Sequence, residues 1–230
     1  MLSLKERSRQ LELLDMKDIP FDDIRQNLIE LNTINTLLGG HQITLDGVKP
    51  FLIPDFTEPI HIVEIGSGGG DNLRVIADFL KEKEIQYKLT GIDLKEECVA
   101  YARAQSPGIE FICSDYKDVV FNQKPDLIFN SLFCHHFTNE ELIHVLQWMR
   151  NHAAKGFFIN DLDRNLLAWY SIKILTGLFS KSYLVKNDAP LSVARSFKRK
   201  DWVSIFKAAG IDDYRIEWKW AFRYLVSWKA

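Results

Sequence analysis

Residues 60–71, Ile-His-Ile-Val-Glu-Ile-Gly-Ser-Gly-Gly-Gly-Asp, constrain the fold of this chain more than any other stretch. A short apolar run ends in an acidic residue and a burst of glycines, and a helical pattern follows from Asn72. That order spells a buried strand, a tight turn and the N-terminus of a helix. Gly66, Gly68 and Gly70 permit backbone angles closed to other residues and let a ligand approach the main chain. The first N–H groups of the helix have no partner within it and add donors at the same place. A nucleotide-like ligand fits such a turn.

The dinucleotide fingerprint G-x-G-x-x-G needs a glycine where this chain has Asp71. The pattern is instead Glu64-x-Gly66-x-Gly68-x-Gly70, with Ser67 inside the loop. A carboxylate at Glu64 suits an ammonium better than a pyrophosphate.

Downstream, strands and helices alternate. Strands are expected at 60–65, 87–92, 109–113, 126–130 and 156–160, with helices at 72–83, 96–104 and 139–152 between them. Such alternation implies a parallel sheet covered on both faces. Ligands of these sheets bind beyond the carboxyl ends of the strands. The end of the chain departs from a plain nucleotide fold: a helix at 199–209 stops at Gly210, and closely spaced strands at 213–220 and 222–228 suggest a hairpin. Upstream, residues 3–52 read as helical. A first helix carries Leu11, Leu13 and Leu14 and ends near Pro20; a second runs from about Asp22 to Gly39-Gly40; a short third covers 45–52. Two units are expected, an N-terminal helical cap over 1–57 and a ligand-binding domain over 58–230.

Strand-end residues are the candidate site. Asp93, followed by Leu94, lies a little over twenty residues beyond the glycines, where a carboxylate takes both hydroxyls of a ribose. Asp115 and Tyr116 follow the third strand. Asn130 closes the fourth and leads to His135-His136-Phe137. Histidine near its ordinary pKa of about 6.5 can accept a hydroxyl proton. Neighbouring residues rarely face the same way, so one histidine is expected in the site and the other beneath it. Asp161, after the fifth strand, is expected to face the crevice and to orient a histidine or a substrate hydroxyl. Two adjacent histidines with no third ligand in sequence give no metal site. Trp169 and Tyr170 lie on an apolar helix that reads as core or as a substrate wall. Arg195 is a candidate clamp for an anionic group, and His41, after the Gly-Gly break, is the cap residue nearest the site.

With 29 basic and 31 acidic residues, the chain has a net charge of −2, and no broad basic field points to nucleic acid. Cys98, Cys113 and Cys134 lie far apart without C-x-x-C spacing, so reduced thiols and a cytoplasmic setting are expected. The charged N-terminus lacks the apolar core of a signal peptide. The most apolar helical stretch, 166–179, contains Lys173 and falls short of the roughly 20 residues that span a bilayer.

Glu64-x-Gly-x-Gly-x-Gly resembles the first motif of the class I S-adenosylmethionine-dependent methyltransferases, and the resemblance covers roughly residues 58–230. It is nearest to bacterial small-molecule members, on the segments 31–41, His-His-Phe, Asn-Asp-Leu-x-Arg at 160–164 and Ser-x-Ala-Arg-Ser-Phe at 192–197. The resemblance implies a doubly wound, mostly parallel seven-stranded α/β sheet with an antiparallel C-terminal strand. It implies that the loop, with Asp71 at the start of the helix, holds S-adenosylmethionine and later its product S-adenosylhomocysteine. Glu64 would anchor the loop and the methionine ammonium, and Asp115 and Tyr116 would take the adenine. The acceptor is expected to be small and apolar, phenolic or polyketide-like, methylated at oxygen with His135 or His136 as base; carbon methylation would use the same groups. The rival expectations are an NAD(P)-dependent oxidoreductase and a non-catalytic S-adenosylmethionine-binding protein.

Overall fold

A computed structural model describes residues 4–16, 18–52 and 58–230. Seven strands, β1 (Ile60–Ile65), β2 (Tyr87–Asp93), β3 (Glu110–Cys113), β4 (Leu127–Ser131), β5 (Gly156–Leu162), β6 (Tyr214–Lys219) and β7 (Arg223–Lys229), form one sheet. Their order is β3-β2-β1-β4-β5-β7-β6. The first five run parallel, and β7 inserts antiparallel beside β5 and pairs antiparallel with β6. The expected hairpin therefore supplies both final strands.

Strands buried on both faces read as nearly continuous apolar runs, and β1, β4 and β5 do. Ile62, Phe129 and Phe158 face one layer, with Leu73, Ile76 and Leu80 of α3 (Asp71–Glu82) and Val99 of α4 (Glu96–Gln105). Val63, Ile128 and Phe157 face the other, against Leu142 and Leu146 of the later helix Asn139–His152 and Trp202 and Phe206 of the last helix, Arg199–Ala208. Period-two alternation along each strand sorts neighbouring residues into these layers.

Upstream of the sheet, α1 (Phe21–Leu37) follows Pro20 and opens with Asp22 and Asp23, which favour its N-terminus electrostatically. Gly39, at φ +77°, turns the chain directly into α2 (Gly40–Val48). The third helix thus starts before the expected residue 45. The first expected helix is absent: residues 4–12 run outside regular structure, and only a single 3₁₀ turn, Leu13–Asp15, forms. Tertiary bonds displace helical ones here. Ser8 N–H donates to Ala194, and the N–H groups of Leu13 and Leu14 donate to the Asp188 carboxylate at 2.8 and 2.9 Å. The 57/58 boundary borders residues 53–57, outside the described residues.

Helices α5 (Asn139–His152), α6 (Leu166–Phe179), α7 (Tyr183–Arg195) and α8 (Arg199–Ala208) complete the chain. A Thr138/Glu141 capping box starts α5. Arg195, expected on a long connection before the last helix, instead ends α7, which tolerates Pro190 inside it and is capped by Ser182 accepting from Val185 N–H. Among the described residues no helix is long and apolar enough to cross a membrane, and all three cysteines are free.

Candidate active site

The carboxyl ends of β1, β2, β4 and β5 open into a cavity of about 710 Å³, roofed by α1, α6 and α7. Its polar floor comes from the glycine loop. Gly66 has φ +71°, and a Cβ there would overlap the ring of Phe133, so loop and fourth strand end approach in a way only glycine allows. Gly68 N–H donates to Asp93 Oδ2 at 2.8 Å, tying the loop to the end of β2. Glu64, Ser67, Asp71, Asp93, Leu94, Asp115 and Tyr116 line this part, as Gly66 and Gly68 do.

The electrostatics of this floor are linked. Burial alone would raise the Asp71 pKa. Hydrogen bonds from His41 Nε2 at 2.8 Å and Asn35 Nδ2 at 3.3 Å outweigh it and hold the carboxyl below its usual value. Glu64 lies beside it, 1% exposed, with Asn72 Nδ2 donating to Oε1 at 2.9 Å. Burial, reinforced by the charge of Asp71, pushes the Glu64 pKa well up. Burial likewise raises Asp93, against backbone donors from Lys95 and Gly68. Glu64 Oε2, Ser67 Oγ and Ser131 Oγ are buried without a protein partner, and all three residues line the cavity. Buried polar atoms are normally paired; these are disposed to meet a polar, cation-bearing ligand.

The same cavity carries a histidine cluster on its wall. The 3₁₀ turn Cys134–His136 puts both rings on the cavity wall, centroids 4.4 Å apart. Neither packs beneath the other, contrary to the expectation that adjacent residues diverge. His135 Nδ1 meets Asp161 Oδ1 at 2.8 Å, and Asp161 also accepts from the His135 and Leu162 N–H groups. Burial would raise Asp161, but His135 lowers it. His136 Nδ1 meets Asp15 Oδ1 at 3.1 Å. Burial opposes charge on His136, yet Asp15 and Glu12 outweigh it and raise its pKa above 6.5. A raised folded value means the pair's stabilisation is complete below pH 6.5 and fades as pH rises through the folded pKa. Thermal melts of Asp15→Asn should show that pH-dependent contribution removed, so that the gap to the parent protein narrows above neutrality.

The rest of the cavity is apolar. Leu28, Leu31, Ile34 and Leu38 come from α1 and its end, and Ala168, Ile172 and Leu175 from α6 at helical spacing.

Several expected residues lie elsewhere. Asn130 is fully buried but points away from the cavity, donating to Met149 Sδ and accepting from Cys134 Sγ. Gly70 does not line it; a Cβ there would sit 2.6 Å from Phe111, so its glycine serves helix-on-strand packing. His41 is pinned to Asp71 below the cavity wall. Trp169 and Tyr170 sit on the part of α6 turned from the cavity, one helical step from Ala168, Ser171 and Ile172, which face it. Arg195 does not line the cavity: its guanidinium donates to the carbonyls of His135, His136 and Gln10 and to Asp15 Oδ2 at 3.4 Å, and fixes the histidine turn. Conversely, Glu12, Asp15, Asn35 and Arg223 line the cavity and were missed. Asn35 falls within the 31–41 segment singled out by the resemblance; no local motif marks the other three, and only long-range packing brings them in.

A parallel sheet ending in an inserted antiparallel strand, with a glycine loop and acidic strand ends, defines the methyltransferase class of α/β fold. Residues 62–156 match the methyltransferase domain family. Over 96 residues the chain is 34% identical to the trans-aconitate 2-methyltransferase of Acidovorax sp. (strain JS42), covering 42% of this chain and 31% of that protein. The match thus spans about a third of the curated relative's length. In fold, the chain resembles the plantazolicin methyltransferase BpumL in complex with SAH (TM-score 0.55, 21% identity, 86% of this chain and 70% of that one). It also resembles human N-acetylserotonin methyltransferase in complex with SAM (TM-score 0.64, 14% identity, 90% and 56%). Over residues 62–156 the chain is thus similar to a methyltransferase domain family, on a fold shared with S-adenosylmethionine-dependent methyltransferases.

Proposed function

We propose that the chain methylates a small, largely apolar acceptor at oxygen, using S-adenosylmethionine. The observation that carries this reading is the position of His135, backed by the fully buried Asp161, on the wall of the cavity whose floor is the glycine loop and Asp93. The floor fits the cofactor: Glu64 and Ser67 offer unpaired buried oxygens to its amino-acid end, Asp93 a carboxylate to its ribose, and Asp115 and Tyr116 an acceptor and a ring to its base. When bound, the cofactor supplies an already activated methyl group on a sulfonium. Arrival of an ammonium favours the charged form of Glu64, which burial otherwise disfavours.

The protein's own task is alignment, exclusion of water and removal of one proton. Asp161 holds the Nδ1 proton of His135, leaving Nε2 to take the acceptor's hydroxyl proton. Arg195 steadies the turn that carries the ring. The N-terminal helical segment acts as a cap, since α1 contributes apolar side chains to the cavity wall and packs Leu28 against the glycine loop. This wall suits phenolic or polyketide-like acceptors. A carboxylate acceptor is already ionised and would not need the base, so dependence on His135 separates the two classes.

Calorimetric titration with S-adenosylmethionine, S-adenosylhomocysteine, NAD and NADP tests the cofactor. Selective binding of the sulfur compounds is expected, weakened at least about tenfold in Asp93→Ala, which corresponds to about 1.4 kcal/mol. Selective binding of NAD or NADP, or no binding by folded protein, overturns the reading.

A further inference from the structure

The N-terminal segment brings a third ligating group to the two histidines. Glu12 is 3% exposed, with Oε1 3.5 Å from His135 Nε2 and Oε2 3.9 Å from His136 Nε2. One donor atom from each of the three side chains falls within 4.8 Å of the others. We infer that Glu12, His135 and His136 form a binding site for a divalent transition-metal ion, opening into the cavity.

Three features carry this beyond a chance cluster. First, each imidazole turns Nε2 toward Glu12 while Nδ1 is engaged by a different carboxylate, Asp161 at 2.8 Å and Asp15 at 3.1 Å. Metal-ligating histidines characteristically donate their other N–H to a carboxylate, which fixes the tautomer and raises ligand basicity. Second, Glu12 is itself held, accepting from Ser192 Oγ at 2.8 Å on α7. Third, the three carboxylates Glu12, Asp15 and Asp161 surround the rings and outnumber the nearby guanidinium of Arg195, which lies 4.0 Å from Glu12 Oε1 and donates to Asp15 Oδ2 at 3.4 Å, to the carbonyls of the turn and to Gln10. Small inward shifts bring the three donors to the roughly 2.0–2.2 Å that zinc requires of histidine and carboxylate ligands. Two histidines and a carboxylate suit zinc, cobalt or ferrous iron and leave coordination positions open to the cavity.

Metal and proton compete for the same Nε2 lone pairs, so a loaded site suspends the role of His135 as proton acceptor. The inference rests on the cluster alone, and metal binding is measured without S-adenosylmethionine, so either proposal can fail while the other stands. Untagged protein, stripped with chelator, should take up one equivalent of Zn²⁺ or Co²⁺ per chain by calorimetry and elemental analysis. Glu12→Gln and His136→Ala should lose that equivalent, and Asp15→Asn should weaken it about 10–100-fold. His61, His144 and His152 remain in all variants and serve as the control for surface binding. Uptake unchanged in folded Glu12→Gln and His136→Ala overturns the site. Should those variants not fold, the parent protein decides: Co²⁺ must give visible d–d bands and perturb the His135 and His136 ring resonances ahead of the other histidines, and their absence overturns it.

Discussion

Replacing His135 with alanine in chelator-treated protein is expected to lower turnover of a hydroxyl acceptor by about 10²–10⁴-fold, the range general-base catalysis supplies. Affinity for S-adenosylhomocysteine should be unaffected, because His135 bonds to Asp161 and faces Glu12 rather than the Glu64, Ser67 and Asp93 side chains of the floor. Asp161→Asn should lose turnover too. Its carboxylate faces Nδ1 at 2.8 Å, and an amide there can present its own N–H to the ring and favour the wrong tautomer. A merely structural role for the pair predicts a different pattern, with stability and cofactor affinity falling together while the pH profile keeps its shape. Release of S-adenosylhomocysteine across a panel of phenols, enols and carboxylic acids measures all of this. Full turnover of His135→Ala and His136→Ala with a hydroxyl acceptor at limiting concentration would remove the histidine base from the mechanism.

The second large effect concerns the fold. Gly156 opens β5 at φ +143°, paired with Lys229 at the end of β7. A Cβ at this position would overlap the Trp228 carbonyl oxygen and lie 2.8 Å from Phe51 Cε1 and 3.0 Å from Lys229 Cα. Two of those atoms are backbone and cannot rotate away. Overpacking and a backbone region nearly closed to other residues each cost about 1–3 kcal/mol. Gly156→Ala should therefore destabilise on the order of 3 kcal/mol and lower Tm by about 6–12 °C in a chain of this size. Gly177 provides the contrast. It lies within α6 with nothing near its would-be Cβ, so Gly177→Ala should stabilise by about 0.5–1 kcal/mol. Differential scanning calorimetry of both variants tests the pair; equal melting temperatures would show that the β5–β7 junction can relax.

How much of this was readable in advance follows the range of each interaction. Short-range pattern sufficed for the strand–loop–helix at 60–71 and the alternation after it, because buried strands, turns and helix starts are written in adjacent residues. The acidic strand ends Asp93 and Asp115 followed from topology, which places every such end on one edge. The same logic failed for residues 4–14, where leucines suggested a helix but bonds to the Ala194 carbonyl and the Asp188 carboxylate of α7 won.

Side-chain direction was the other gap. His41, Trp169, Tyr170 and Arg195 were reasonable candidates by composition, yet one helical step decides whether a residue meets the cavity or turns from it. Asn130 lies on the strand face away from it, although Ser131 beside it lines the cavity. By itself the amino-acid order determined the class of fold, the glycine loop and the presence of two histidines and Asp161 near a strand edge. Only tertiary structure decided that Glu12 and Asp15 complete the histidine cluster, that Arg195 is a brace, and that α1 supplies the apolar wall. Periodicity and turn chemistry act between neighbours, whereas these partners are chosen by packing between segments that no local pattern connects.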